Sequence, residues 1–321
     1  MLCLWYLYDK KYIYANRHIL IAFLYLRGAR SFDKASKITG AQRRATGESI
    51  IADSNHALFL LTRLHANGIH YGREDSFKLV TGQVLAERML IGVDHADAAP
   101  AMLLDIAKDC GMPQAAFELL FSRVTEANAV FFGFEELETS CVCKVYLEFW
   151  EAVKREVRAS GSCAPQLLHL GVKWNSAHPQ RQEVARYECH PMLGVGAIME
   201  RMAACHGCSD GAPPISPLCK LTQDIVQRAY QRNRAASMLY LEVSEQGNPR
   251  SSYDINLYKS AITVNDCAAQ LRRAGAYFSI APELLEAQLE RLGARPFGHI
   301  SSGLDRHGHE FLSVYAETIA P

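Results

Sequence analysis

A pair of β-compatible segments flanked by helical patterns recurs five times along this sequence, at intervals of roughly fifty residues. Each segment is rich in β-branched and aromatic residues, and turn-forming residues separate the two members of a pair. The ten segments begin near Ser76, Ala86, Asn128, Cys143, Leu167, Gln182, Met238, Ser251, Phe297 and His309. Consecutive hairpins favour antiparallel pairing, because parallel neighbours need a long crossover connection between them.

The strand segments have one apolar and one polar face. Side chains alternate across a strand, so CKVYLEF places Val145, Leu147 and Phe149 on one face and Lys144, Tyr146 and Glu148 on the other. The helical pattern WEAVKREV follows directly and can cover the apolar face. The same alternation predicts polar faces with Asp254, Asn256 and Tyr258; Phe311, Ser313 and Tyr315; His169, Gly171, Lys173 and Asn175; and Tyr240 and Glu242.

This pattern predicts an α+β fold of repeated α-β-β-α units. If every apolar face packs against helices, ten antiparallel strands can close into a barrel, which leaves no unpaired edge. The polar faces would then line a solvent-accessible lumen inside a ring of helices. We expect residues 49–321 to form this single domain and residues 1–48 to be an extension packed on it.

Composition is that of an ordinary globular protein. Of 321 residues, 49% are hydrophobic and 21% are charged, which is enough apolar material for a large core. The formal net charge is zero, so nothing global predicts a nucleic-acid or membrane partner. The longest clean apolar run near the N-terminus, Ile19 to Leu26, is too short to span a bilayer. We expect a cytoplasmic monomer.

Ten cysteines are irregularly spaced and no secretory signal pattern precedes them, which predicts reduced thiols. One cluster, Cys205, His206, Cys208 and Cys219, could supply zinc ligands. It lacks a second CxxC pair, so a loop with buried or free thiols is the favoured interpretation. The dinucleotide GxGxxG, P-loop lysine and GxSxG motifs are all missing, which argues against nucleotide-binding and hydrolase functions.

The strand motifs and the repeat together resemble the ABBA-type aromatic prenyltransferases, built from α-β-β-α units around a ten-stranded antiparallel barrel. The resemblance extends from about Ser49 to the C-terminus. In that family a basic or amide residue two positions before a tyrosine binds the prenyl diphosphate, and the tyrosine shields the allyl cation. Lys144 with Tyr146 and Asn256 with Tyr258 match this motif, whereas Tyr315 follows Ser313.

The resemblance implies transfer of a prenyl group from a prenyl diphosphate to a small aromatic acceptor such as a phenol or indole. The expected diphosphate-binding residues are Arg88, Lys144, Lys173, Arg186 and Asn256, although ARYECH permits either face for Arg186. The expected cation shield is Tyr146, Tyr240, Tyr258 and Tyr315. Aromatic faces attract cations, and lysine or arginine stabilises a departing anion. Magnesium accompanying the diphosphate is left open, and no protein-held metal is expected at the site.

An inward carboxylate would orient the acceptor or take its proton, and Glu148 is the first candidate, ahead of Glu242 and Asp254. His169 and His299 are more consistent with hydrogen-bonded strand residues than with general bases. Tyr187 could belong to the core or to the shield. The alternative function is a non-catalytic α+β scaffold for small-molecule binding or assembly, which would need no cations converging above tyrosines.

Overall fold

The computed structural model describes residues 56–137, 139–207 and 215–318. Its strands are β1 Gly72–Val80, β2 Gln83–Asp94, β3 Ala129–Glu136, β4 Cys141–Glu148, β5 Gln166–Asn175, β6 His178–His190, β7 Leu239–Glu245, β8 Ser251–Asn256, β9 Phe297–Leu304 and β10 Glu310–Thr318. Its α-helices are α1 His56–Ala66, α2 Pro100–Asp109, α3 Gln114–Phe121, α4 Trp150–Ser160, α5 Val195–Cys205, α6 Pro217–Arg232, α7 Ala268–Tyr277 and α8 Pro282–Leu292. The predicted extension over residues 1–48 lies outside the described residues and stays a prediction.

The ten strands form a closed antiparallel barrel in the order β1-β10-β9-β8-β7-β6-β5-β4-β3-β2. Each strand pairs with its sequence neighbours, and β1 pairs with β10 to close the barrel. The predicted α+β class and the ten-stranded α-β-β-α barrel are therefore confirmed, and this is the ABBA-type architecture. Closure explains how a polar strand face can be kept away from the helix layer.

Local sequence signals set the ends of the helices that cover the barrel. Helix α4 begins at Trp150, separated from β4 by one residue, and is capped at its C-terminus by Gly161, whose left-handed φ of 64° suits a residue without a Cβ. Ser216 caps α6 by accepting a hydrogen bond from the Cys219 backbone N–H at 3.2 Å, and Pro217 follows as the first helical residue.

The apolar strand faces pack outward against the helices, as predicted for β4, β8 and β10. Val145 and Leu147 of β4 lie in a core shared with α1, α2 and α3. Ile255 of β8 and Val314 of β10 lie in a second core, shared with α5 to α8. A smaller cluster packs α4 against β5, β6 and β7. The polar faces of β4, β8 and β10 are consequently directed into the lumen.

Candidate functional site

The lumen holds two adjoining cavities of different character. One, here called the cationic cavity, has a volume of about 460 Å³. Its lysine and arginine side chains are Lys78, Arg88, Lys144, Lys173, Arg181, Arg250 and Arg306. The other, called the apolar cavity, has a volume of about 190 Å³. Its apolar and aromatic wall includes Met89, Leu90, Phe131, Trp150, Leu168, Leu239 and Leu241.

Cations outnumber carboxylates at the cationic end. The carboxylates that line or adjoin this cavity are Glu135, Glu183, Glu245, Asp254 and Asp305. Glu135 lies 2.8 Å from the Arg88 guanidinium and also pairs with Lys144. Glu245 pairs with Lys173 and lies 2.5 Å from Arg250. The remaining positive charge can be neutralised by an anionic ligand.

Burial and mutual repulsion perturb the lysines of the cationic cavity. Desolvation and the charges of neighbouring cations such as Arg88 lower the pKa of Lys144 to about 8, despite the opposing effect of Glu135. The pKa of Lys78 is lowered to about 8 by the same causes. The pKa of Lys173 is lowered well below its usual value, chiefly by burial and then by Arg250. An incoming anion would relieve this repulsion, so the cavity is electrostatically prepared for one.

Three tyrosines lie at the boundary between the two cavities, since Tyr146, Tyr187 and Tyr315 line both of them. The rings of Tyr146 and Tyr187 meet edge to face at a centroid distance of 5.6 Å. The Tyr315 hydroxyl lies 3.5 Å from the Arg88 guanidinium. These aromatic rings therefore lie where the two cavities meet, together with Arg88 and Lys144, which also line both.

One wall of the apolar cavity carries a carboxylate and an imidazole. Glu148, at the end of β4, is only 6% exposed, and its Oε2 lies 3.6 Å from His169 Nε2. His169 packs edge-on between Phe131 and Tyr187, with centroid distances of 5.7 Å to each. This arrangement offers a proton acceptor beside an aromatic wall that could hold a planar ligand.

The opposite wall carries a second hydrogen-bonded group centred on His299. Its Nε2 lies 2.9 Å from Glu74 Oε1 and its Nδ1 lies 3.1 Å from Asp254 Oδ1. Burial alone would lower the pKa of His299, but these two carboxylates raise it well above the usual value. Tyr258 donates its hydroxyl to Glu74. His299 is therefore a charged donor between two acceptors and not a free base.

Most of the predicted site residues line the lumen. Those that do are Arg88, Lys144, Lys173, Asn256, Tyr146, Tyr258, Tyr315, Glu148 and Asp254. Asn256 and Tyr258 line only the apolar cavity, and the Asn256 side chain accepts a hydrogen bond from the Tyr258 backbone N–H at 3.2 Å. The role of Asn256 as a diphosphate ligand stays a prediction.

The predicted face of β7 is wrong. Tyr240 is fully buried in the outer core, where its hydroxyl lies 3.7 Å from Cys205 Sγ. Glu242 also points outward and lies 2.6 Å from Arg201 of α5. Both faces of this strand mix polar and apolar residues, so alternation alone could not tell the inner face from the outer. Tyr240 and Glu242 therefore cannot serve as cation shield and catalytic carboxylate in the lumen.

The prediction that Arg186 faces the lumen is also wrong. It lies opposite Leu170, which packs in the outer core, and its side chain is half exposed. A register shift between Leu167 and His169 accompanies this pairing, and the inward residue is Tyr187. The Arg186 guanidinium lies 3.5 Å from Glu188. Tyr187 therefore lines the lumen, whereas Arg186 points outward and cannot bind a diphosphate there.

Four residues that line or adjoin the lumen, Lys78, Arg250, Glu135 and Glu245, are not among the site residues predicted from the sequence. The alternation in SFKLV, with Phe77 outward, already directs Lys78 inward. Arg250 directly precedes β8, and its Nε donates a hydrogen bond to the Ser252 hydroxyl at 3.0 Å, so it lies on the side of the strand that carries Ser252 and Asp254. Extending the strand pattern into the preceding turn would have identified it. The ion-pair partners Glu135 and Glu245 carry no such local signal, because their roles depend on neighbouring strands.

The cysteine cluster does not assemble in the part of the chain that the structure describes. Cys205 and Cys219 are buried in the outer core, and His206 Nδ1 lies 2.6 Å from Glu310. Cys208 lies outside the described residues. Among the described residues, Cys205, His206 and Cys219 do not form a group whose ligand atoms are close enough to hold a metal ion. The interpretation of Cys205 and Cys219 as buried thiols is thus consistent with their positions.

No protein-family model matches the sequence, and no curated protein matches it. AnaPT from Neosartorya fischeri is 10% identical over 76% of this chain and 77% of that chain, with a TM-score of 0.47. The 5-dimethylallyltryptophan synthase from Streptomyces coelicolor is 14% identical over 76% and 80%, with a TM-score of 0.48. NotF prenyltransferase is 12% identical over 77% and 81%, with a TM-score of 0.47.

Among the described helices, none combines the length and apolar character needed to cross a bilayer.

Proposed function

We propose that this protein is an aromatic prenyltransferase that moves an allylic prenyl group from a prenyl diphosphate to a small aromatic acceptor. The observation that carries the proposal is the position of Tyr146, Tyr187 and Tyr315 between the cationic and apolar cavities. A diphosphate among the cations would direct its prenyl chain past these rings. An acceptor in the apolar cavity would then meet the chain from the other side.

The first chemical step would be cleavage of the bond between the allylic carbon and the diphosphate oxygen. The bonding electron pair leaves with the diphosphate, whose negative charge grows as the bond breaks. Arg88 and Lys173 are buried, Lys144 and Arg250 are largely buried, and all four can donate charge-assisted hydrogen bonds to that anion. Such donors, held in place before the reaction, stabilise the ionised state more than the ground state.

The allyl cation left behind needs a site that attracts it and excludes water. Tyr146 and Tyr187 are packed against each other, and Tyr315 is held near Arg88. Their ring faces would stabilise the cation by cation–π attraction, at roughly 2 kcal/mol or more for a desolvated contact. Their bulk would also keep water from capturing the cation.

The acceptor ring would supply the electron pair for the new bond and would then lose a proton to recover aromaticity. Glu148 is the proposed proton acceptor, because it is buried beside the aromatic wall and adjoins His169. The Glu74, His299 and Asp254 group on the opposite wall would orient a polar acceptor by hydrogen bonding. An acceptor with one N–H or O–H and a planar ring fits these partners.

The carboxylates of the cationic cavity are not free to hold a metal ion that would bridge the protein and the diphosphate. Glu135, Glu183 and Glu245 are all ion-paired with lysine or arginine, and Asp305 accepts backbone hydrogen bonds from His307 and His309. Magnesium is bound through carboxylates and phosphates in proteins. The cations of the cavity would instead hold the diphosphate directly, so we propose magnesium-independent binding.

Turnover tests this function. Purified protein would be incubated with dimethylallyl or geranyl diphosphate and a panel of indoles and phenols, and mass spectrometry would detect an acceptor heavier by one prenyl group. We expect product with at least one acceptor class and a large loss of product in Glu148→Gln. No product from any pair, together with no binding of either donor, would favour the non-catalytic scaffold.

A further inference from the structure

A second group of chemically reactive side chains lies outside the barrel, between β4 and the start of α1. The ligand atoms of His56, Cys141 and Cys143 all lie within 4.8 Å of one another. Cys141 and Cys143 are 1% and 2% exposed, and His56 is partly buried. This cluster lies on the opposite face of β4 from Lys144 and Tyr146, so the prenyl-transfer site does not use it.

The local strand geometry explains the convergence. Cys141 and Cys143 are two residues apart on one strand, so both side chains project from the same outer face. His56 is the first residue of α1 and brings an imidazole over that face. Tetrahedral zinc, with bonds of about 2.0 Å to nitrogen and 2.3 Å to sulfur, requires ligand atoms roughly 3.5–4 Å apart. The three ligand atoms, all within 4.8 Å of one another, lie close to that spacing.

Glu136 is the candidate fourth ligand, although its carboxylate lies outside the group of atoms within 4.8 Å of one another. It lies directly opposite Cys141 in the β3–β4 pairing, so it projects from the same outer face. Its Oε1 is buried and has no hydrogen-bond partner among the described residues. A buried carboxylate oxygen without a partner is costly, and a cation would satisfy it.

We propose that His56, Cys141, Cys143 and Glu136 form a structural zinc site that fastens the start of α1 to the barrel. Two thiolates and one imidazole suit zinc, and the carboxylate completes four-coordination. All four positions are filled by protein groups, which is typical of a structural site and leaves no open position for catalysis. Because the cluster faces away from the lumen, the site stands independently of the proposed prenyl transfer.

Metal binding can be measured directly on the full chain. Protein purified under reducing conditions and stripped with a chelator would be titrated with Co²⁺, whose absorption reports tetrahedral thiolate coordination, and then with Zn²⁺ as competitor. We expect one Co²⁺ per chain, displaced by one Zn²⁺. In Cys141→Ser and His56→Ala we expect at least about a hundredfold weaker binding, because even indirect partners of a metal contribute 10–100-fold.

The matched control is Cys189→Ser, which removes a buried thiol on β6 outside the cluster. It should bind Zn²⁺ as wild type does. Thermal unfolding gives an independent readout: Zn²⁺ should raise the Tm of wild type and Cys189→Ser, but not that of His56→Ala. Absence of thiolate-bound Co²⁺ in wild type, or equal Zn²⁺ affinity in wild type and Cys141→Ser, would overturn the site.

Discussion

Gly171 of β5 lies directly opposite Tyr146 of β4, and the absence of a side chain at Gly171 provides the space that the tyrosine ring occupies. A Cβ at position 171 would lie 2.5 Å from Tyr146 Cε1 and closer still to Cδ1. Tyr146 also packs edge-on against Tyr187. The ring at the boundary between the two cavities is thus positioned by a glycine on the neighbouring strand.

Gly171→Ala should displace that ring. Overpacking of this kind typically costs about 1–3 kcal/mol in the free energy of unfolding, and prenyl transfer should fall with it. Urea denaturation and turnover assays would measure the two effects. Gly196→Ala is the control, since a Cβ there meets nothing within 4 Å. Unchanged stability and turnover in Gly171→Ala would show that the Tyr146 ring is not held in this way.

Diphosphate binding should weaken at alkaline pH. The pKa values of Lys78 and Lys144 are lowered to about 8, so both side chains are charged below that pH and lose their charge as the pH rises through it. Each lost charged hydrogen bond would weaken binding by about tenfold or more. Calorimetric titration of an unreactive thiolodiphosphate analogue between pH 7 and 9.5 would measure this decline.

Lys144→Arg is the matched variant for that experiment, because a guanidinium remains charged throughout the range. Its affinity should fall less steeply with pH than that of wild type. Identical pH profiles for the two proteins would mean that Lys144 does not bind the diphosphate in its charged form.

Removing a ring at the boundary should let water reach the allyl cation. In Tyr187→Leu we expect a larger share of prenyl alcohol relative to prenylated acceptor, because both the cation–π attraction and the exclusion of water are weakened. Tyr187→Phe keeps the ring and should retain the wild-type ratio. Chromatographic separation of the two products gives the ratio, and an equal ratio in all three proteins would remove Tyr187 from the shield.

Glu310 should stabilise the fold near neutral pH and not in acid. Burial alone would raise its pKa, but hydrogen bonds from His206, Ser216 and Tyr277 lower it to about 2. A lowered carboxyl pKa contributes stability that is fully present above the unfolded value, near 4.5, and is lost as the pH falls towards 2. Glu310→Gln should therefore cost about 1–3 kcal/mol at pH 7.

The difference between wild type and Glu310→Gln should shrink between pH 4.5 and 3 in urea unfolding experiments. Glu156→Gln, at an exposed position on α4, is the control and should resemble wild type throughout. A cost in Glu310→Gln that stays constant with pH would show that the charge of Glu310 is not its source.

The sequence predicts the barrel well because the same pattern, a hairpin whose strands have one apolar and one polar face, recurs along the chain. Val145 and Leu147 need a helix layer, and comparable apolar faces occur on β8 and β10. Ten such strands can bury their apolar faces against helices and leave no unpaired edge by closing into a barrel. The inward positions of Lys144, Tyr146 and Glu148 follow from the same alternation.

Prediction fails where a single strand does not determine its own inner face. On β7 the inward residues at the apolar cavity are Leu239 and Leu241, while Tyr240 and Glu242 find polar partners in the helix layer. On β6 a register shift in the pairing with β5 accompanies the choice of Tyr187 over Arg186. Which residues of β6 and β7 face inward depends on contacts with side chains far away in the sequence, and local periodicity carries no information about those contacts.

The most direct test of the proposed function is binding of the dimethylallyl or geranyl thiolodiphosphate to wild type, Lys144→Ala and Arg186→Ala at pH 7. Arg186 is the matched control, because it is a cation of the same barrel whose side chain points outward. We predict micromolar binding by wild type and Arg186→Ala, and at least about tenfold weaker binding by Lys144→Ala. Failure of folded wild type to bind either analogue, or equal affinity in Lys144→Ala, would contradict a diphosphate site in the cationic cavity.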